Sequence, residues 1–360
     1  MKSILMVYIF FYFINSILAI KYDKIKHIKH LDLFIFFTLV IFASVRWDVG
    51  GDFQNYIEFY ENFELPRPKD PTSDIIFYSL NLLFYLLKFD VLGKNIVLII
   101  LFLLPFYYVF KKFYKNIYLS LCIFFPIIFI VYGLGSIRQG LAISYFFLFL
   151  YYNGNKVIKY ILFFIPYFFH ETSIIPMAIY FASQIISLSN KKKLFISSLF
   201  FLIISLIIIF LKYDYFYSKI VFYIQDDVYH SVGAPFRAIL LSMFSILFLI
   251  KIKNLNISDE KINKFLLFSS FFIFFLTPIS FFLSTPVDRI LAYFLIIKLI
   301  ISEEVLKILD NKLQKKLFSI FFILIGFVYL VSWIYLGENS WFYNRSWSIH
   351  NLIFFNTIFH

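Results

Sequence analysis

The residues best suited to chemistry in this sequence are six arginines and one histidine set among apolar runs. Arg46, Arg67, Arg138, Arg237, Arg289 and Arg345 stand against 27 lysines. Arginine presents a planar, permanently charged fork that matches phosphate and carboxylate, which a lysine ammonium does not. Arg138 lies in "GLGSIRQGLAISYFF", between two long apolar stretches. Placing it at the centre of a membrane helix costs about 2.5–3.5 kcal/mol, so a bland anchoring role is a poor explanation. His170, in "FFHETS", closes one apolar run and opens the next. An imidazole titrates near about pH 6.5 and suits proton transfer, although a lone histidine in such a hairpin also serves as a structural hydrogen-bonding group. Asp52 and Tyr56 follow the Gly50-Gly51 pair, where the chain turns tightly and a backbone approaches its neighbour closely. Gln139 neighbours Arg138, and Arg237 follows the polar stretch 212–235.

Helices must position these groups. The chain is 62% hydrophobic and 15% charged, well below the charge of a soluble domain, and its mean hydropathy is +0.85. Apolar runs continue from end to end, so one integral membrane domain over 1–360 is expected. Twelve spans are drawn at 3–20, 31–45, 95–110, 117–135, 140–153, 157–170, 172–188, 194–211, 236–250, 265–284, 290–302 and 317–336. A hydrocarbon core takes about 20 helical residues, and shorter segments are accommodated by thinning and snorkelling. The first segment resembles a secretory signal, but the basic stretch "KYDKIKHIKH" directly after it marks an uncleaved first helix.

A thirteenth apolar stretch, 75–87, decides the orientation. If it does not span, 21 of the 27 lysines fall on the cytoplasmic side; if it spans, only 8 do. The positive-inside rule selects the first arrangement, with 75–87 a re-entrant or interfacial helix on the outer face. Lysines alone set that choice, yet all six arginines then fall outside. Arginine is therefore sorted for something other than orientation. Arg46, Arg138 and Arg289, at the ends of apolar segments, are the strongest candidates; Arg67 and Arg345 read as interfacial anchors. The outer loops 46–94 and 212–235 carry most of the remaining polar groups.

Several classes are excluded or disfavoured. The net charge of +12 resides in short loops facing lipid, so nucleic acid is not an expected partner. No GxxxxGK[ST], HExxH or CxxC occurs, and neither a nucleotide cofactor nor a metal is expected. The single cysteine, Cys122, excludes an intramolecular disulfide. Charges are sparse inside the drawn spans and crowd one rim, which disfavours a transporter with a midplane site.

Four stretches in series, "RWDVGGDFQNY" at 46–56, "SIRQGLA" at 136–142, "FHETSII" at 169–175 and "DRILAY" at 288–293, resemble the EpsG family, allied to Wzy-type O-antigen polymerases. The family often has Thr where Gly51 stands and Glu near Asp74. The resemblance implies a GT-C-like, all-α polytopic fold of about 12 transmembrane helices. It implies a polysaccharide polymerase at the outer face of the bacterial inner membrane. Such an enzyme moves a growing glycan from undecaprenyl pyrophosphate onto a lipid-linked repeat unit of O-antigen, capsule or exopolysaccharide. Membrane lipid, a chain-length regulator and a flippase are the other implied partners. On this reading Arg138 and Arg289, with Arg46 as a third candidate, stabilise the pyrophosphate, and Arg237 is a further residue for pyrophosphate or sugar. His170 is the general base with Asp52 as rival, and Gln139 and Tyr56 position sugar or phosphate. Inversion of the anomeric centre and independence from metal are further expectations. The competing readings are a lipid-linked oligosaccharide flippase, which needs a polar pathway, and an outward-facing ligase or acyltransferase.

Overall fold

The computed structural model describes residues 2–46, 49–50, 52–53, 56, 74–185, 231, 233–251 and 259–336. All regular structure among them is helical: α1 Lys2–Ile20, α2 Tyr22–Ile25, α3 Leu31–Ser44, α4 Ile75–Leu86, α5 Val91–Phe113, α6 Ile117–Phe124, α7 Ile137–Tyr151 and α8 Lys156–Phe169. There follow α9 Ile174–Ile185, α10 Ala234–Lys251, α11 Glu260–Ile279, α12 Ser284–Leu291, α13 Leu295–Ile308 and α14 Lys312–Leu336. Helix α6 runs on without a break into a π-helix, Phe125–Gly135. Several helices start where a polar residue supplies the acceptor that the first turn lacks. Asp90 accepts from the Gly93 amide at 2.6 Å, Asn116 from Leu119 at 3.1 Å, Asn155 from Val157 at 2.8 Å and Asn311 from Leu313 at 2.8 Å.

The all-helical expectation holds, and this is a membrane protein. Four segments have the length and hydropathy to cross a bilayer: Val91–Phe113, Ile117–Gly135, Glu260–Ile279 and Lys312–Ile334. The other apolar helices are shorter, as at Leu31–Ser44 and Ile137–Tyr151. Large apolar side chains cover the outside of the helices, including Phe34 on α3, Tyr160 and Phe164 on α8 and Phe321 on α14. Such a continuous apolar exterior is compatible with lipid and not with water. Of the drawn segments, 265–284 starts five residues earlier, because Asp259 caps α11 through the Lys261 amide. Segment 290–302 is broken into α12, a 3₁₀ turn at Ala292–Phe294 and α13. Segment 194–211 and most of loop 212–235 lie outside the described residues.

The chain divides into two compact units, Met1–Ser173 with Val305–His360, and Ile174–Glu304. In the first, 83% of the Ile117–Gly135 segment is buried against only 33% of α14, which makes it the core element. It packs on α1 and α14, while α5 packs on α3 and α7, and α7 on α8. Phe106 sits 4.6 Å from Phe124 and 5.3 Å from Phe147 between ring centroids, so a cluster of tilted aromatic rings joins α5, α6 and α7. In the second unit α11 packs on both α9 and α10, and α12 on α10. One charge lies buried within the drawn segment 290–302, Lys298, and just beyond it on α13 Glu303 and Glu304 are buried as well.

Candidate functional site

Arg138 stands on the first turn of α7, a helix whose side chains are nearly all buried. Two features set its place. The π-helix ends at Gly135, and the Ser136 amide donates to the Val131 carbonyl at 3.0 Å, so α7 starts directly from that end. π-helical turns are rare, and those inside α-helices are found frequently at functional sites. Gly140 then lets α7 lie against the π-helix: a Cβ there would stand 2.5 Å from the Tyr132 carbonyl oxygen.

The guanidinium of Arg138 donates from Nη1 to Asp74 Oδ2 at 2.9 Å. It lies 5.7 Å from the centroid of the Tyr56 ring and 5.8 Å from that of Phe77. Two aromatic faces and a carboxylate thus hold the fork in one orientation. Asp74 is the N-cap residue of α4, but its side chain does not cap that helix. With φ +63° it adopts the left-handed conformation, which Asp tolerates better than most residues, and its carboxylate turns toward Arg138. Burial raises the Asp74 carboxyl above the ordinary carboxylate range and the charge of Glu171 adds to this, while Arg138 pulls it back down. The backbone N–H of Glu171 also donates to Asp74, linking the 170–173 turn to the pair.

Tyr56 donates its hydroxyl to Asp52 Oδ2 at 3.3 Å. Desolvation, then the charge of Asp52, raises the Tyr56 hydroxyl and keeps it a donor. His170 is the C-cap of α8, and its Nδ1 is 2.7 Å from the Thr172 hydroxyl. That contact orients the imidazole; when Nδ1 carries the proton, Nε2 is the basic nitrogen. The structure therefore brings Asp52, Tyr56, Asp74 and Arg138 together, with the His170 turn joined through Glu171.

The other arginines are placed differently. Arg46 is 2% exposed and donates from Nη1 to the Gly133 and Leu134 carbonyls at 2.6 and 2.9 Å. It stabilises the negative end of the π-helix, where carbonyls lack intrahelical partners. Gly50, at φ +93°, closes the same corner, since a Cβ on it would stand 2.3 Å from the Gly135 Cα. Gln139, adjacent to Arg138, is buried. In the second unit, Arg237 pairs bidentately with Asp288 through Nε and Nη2, the latter at 2.6 Å from Oδ2. The Ser231 hydroxyl joins Asp288 at 2.8 Å. Arg289 is exposed on α12. Arg67, Arg345, Trp47, Asp226, Asp227 and His230 lie outside the described residues.

Sequence reasoning passed over Asp74 as the partner of Arg138, and Arg237 as the partner of Asp288. The signal for Asp74 was its position, an acid directly before an apolar helix, but that pattern announces a cap and not an ion pair.

The profile of the EpsG family matches residues 29–346, which contains this site and nearly the whole chain. The chain belongs to the EpsG family. The EpsG match extends beyond residue 293, past the last stretch that carries the resemblance in sequence. No curated protein and no solved structure matches it.

Proposed function

We propose that this EpsG-family chain is a polysaccharide polymerase, a glycosyltransferase acting at the outer face of the bacterial inner membrane. The observation that carries the reading is the Arg138 fork, held by Asp74 beside the paired Tyr56 and Phe77 rings at the start of a buried helix. A fixed, part-buried cation needing no reorganisation is what a departing pyrophosphate requires. The donor is a growing glycan on undecaprenyl pyrophosphate, and the acceptor is a lipid-linked repeat unit. The acceptor hydroxyl oxygen attacks the anomeric carbon of the donor sugar, and the bond from that carbon to the pyrophosphate oxygen breaks. Arg138 takes up the negative charge that develops on the pyrophosphate.

The hydroxyl proton passes to Nε2 of His170, which Thr172 orients through Nδ1. Asp52 and Tyr56 form the side of the site where sugar hydroxyls and phosphate oxygens find acceptor and donor. Arg46 acts at one remove, by fixing the end of the π-helix next to Arg138. A single in-line displacement inverts the anomeric centre, and arginine in place of a metal makes the reaction independent of divalent cations. Product of retained configuration, or activity lost to a chelator and restored by magnesium, contradicts these two statements respectively.

The test is genetic. A strain lacking the gene and carrying Arg138→Ala, with the protein present in the membrane, is expected to accumulate carrier bearing one repeat unit outside the cell. A full ladder of surface glycan removes Arg138 from the site. Absence of any unit outside the cell points instead to a flippase.

A further inference from the structure

Away from Arg138, the first unit holds a cavity of about 600 Å³ lined by Lys26, Lys115, Lys312, Lys315 and Lys316, with Asp23 the only acid among the described residues that line it. It opens where α1 ends and α6 and α14 begin. The Ile117–Gly135 segment leads from this end to the neighbourhood of Arg138, and its 19 residues span at most about 28 Å at the α-helical rise. The two sites therefore lie at opposite ends of the core segment. The cavity falls at the lysine-rich end, which the positive-inside rule assigns to the cytoplasm.

The base of this cavity is built and its rim is charged. Asn116 donates from Nδ2 to the Ala19 carbonyl at 3.0 Å and accepts from the Leu119 amide at 3.1 Å, joining α1 to the start of α6. The Ser319 hydroxyl donates to the Lys315 carbonyl at 2.9 Å within α14. Ala19, Tyr114 and Leu306 are buried beneath. Lys26, Lys312, Lys315 and Lys316 pair with no carboxylate among the described residues, although carboxylate pairs form elsewhere, as at Lys111–Asp32 and Lys264–Glu260. Five lysines line one volume of ligand size, Lys315 half-buried and the other four exposed around it, and together they create a positive potential that an anion offsets. Flexible ammonium groups used as point charges suit phosphate, with several lysines sharing one highly charged group.

We propose that this cavity is a second site, which binds a phosphate-bearing anion: the head group of an anionic lipid or a soluble pyrophosphate compound. The proposal is independent of the polymerase reading and of Arg138. Bound there, the anion draws α1, α6 and α14 together at the end of the segment whose other end carries the arginine cluster.

The experiment uses the full chain in phosphatidylcholine nanodiscs and reads the thermal midpoint, first with inorganic pyrophosphate and then with phosphatidylglycerol included in the bilayer. The comparison is with Lys312→Gln/Lys315→Gln/Lys316→Gln and with the corresponding triple Arg variant. Any binding at the arginine cluster is common to all three proteins and cancels. The expected result is a raised midpoint for the wild type and the Arg variant, with pyrophosphate affinity weakened about tenfold or more in the Gln variant. A response to phosphatidylglycerol alone identifies a lipid head group, and a response to pyrophosphate alone a soluble ligand. No response in the wild type, or an equal response in the Gln variant, overturns the proposal.

Discussion

Arg138 differs from the lysines of this chain in geometry as much as in charge. Its fork is fixed by Asp74 and two rings, so the position should tolerate neither loss nor exchange of the head group. Arg138→Ala is expected to lower turnover about 10²–10³-fold, and Arg138→Lys to recover only a small part, measured as polymer formed per membrane-resident protein. Asp74 supplies a pH dependence. Its carboxyl lies above the ordinary carboxylate range in the folded protein, so the folded state holds that proton more tightly than the unfolded chain. The effect on stability is thus a relative gain at low pH, lost as pH rises from the unfolded value through the raised folded one. The effect on the site has the opposite sense, because the ion pair with Arg138 exists only above the raised value. The acid limb of the activity profile should therefore lie above the ordinary carboxylate range, and Asp74→Asn should remove that limb. An unchanged limb in Asp74→Asn assigns it to another group. Arg237→Ala should leave the Asp288 carboxylate without its partner and cost about 3–5 kcal/mol, read as loss of folded protein in detergent melts.

At the scale of elements, the corner formed by Arg46, Gly50 and the π-helix end positions Arg138. Gly50→Ala places a Cβ against the Gly135 backbone at a positive φ. It should destabilise the protein by about 1–3 kcal/mol and reduce activity even where the chain remains folded. Equal melting points for Gly50→Ala and wild type would show that the corner yields. Much of this arrangement was legible in the sequence. The helices follow from apolar runs bounded by Asp and Asn caps, and the arginine at residue 138 was conspicuous because its charge sits between two such runs. The π-helix was not legible, since Phe125–Gly135 reads as any apolar span, and only the fold shows it packed on α7 and α14. Nor could spacing reveal that Arg46 binds the carbonyls of residues 133 and 134, some 87 positions away. Lys298 lies inside the drawn segment 290–302, and only the fold shows that α13 encloses it.

For the whole molecule, the proposed polymerase requires one orientation: arginines outside, most lysines inside. Cys122 is buried and is the only cysteine, so Cys122→Ser gives a background without thiols. In that background Lys88→Cys should react with an impermeant maleimide from outside the cell, and Lys115→Cys only after the membrane is opened. The reverse labelling would place the Arg138 cluster on the cytoplasmic side and overturn the polymerase reading. The most direct measurement remains the reaction itself. Purified full chain in liposomes, given lipid-linked repeat unit alone, is expected to produce a ladder of longer glycans and to release carrier pyrophosphate, with Arg138→Ala folded but inactive. A ladder of equal length and rate from Arg138→Ala would contradict the central claim that this arginine stabilises the leaving pyrophosphate.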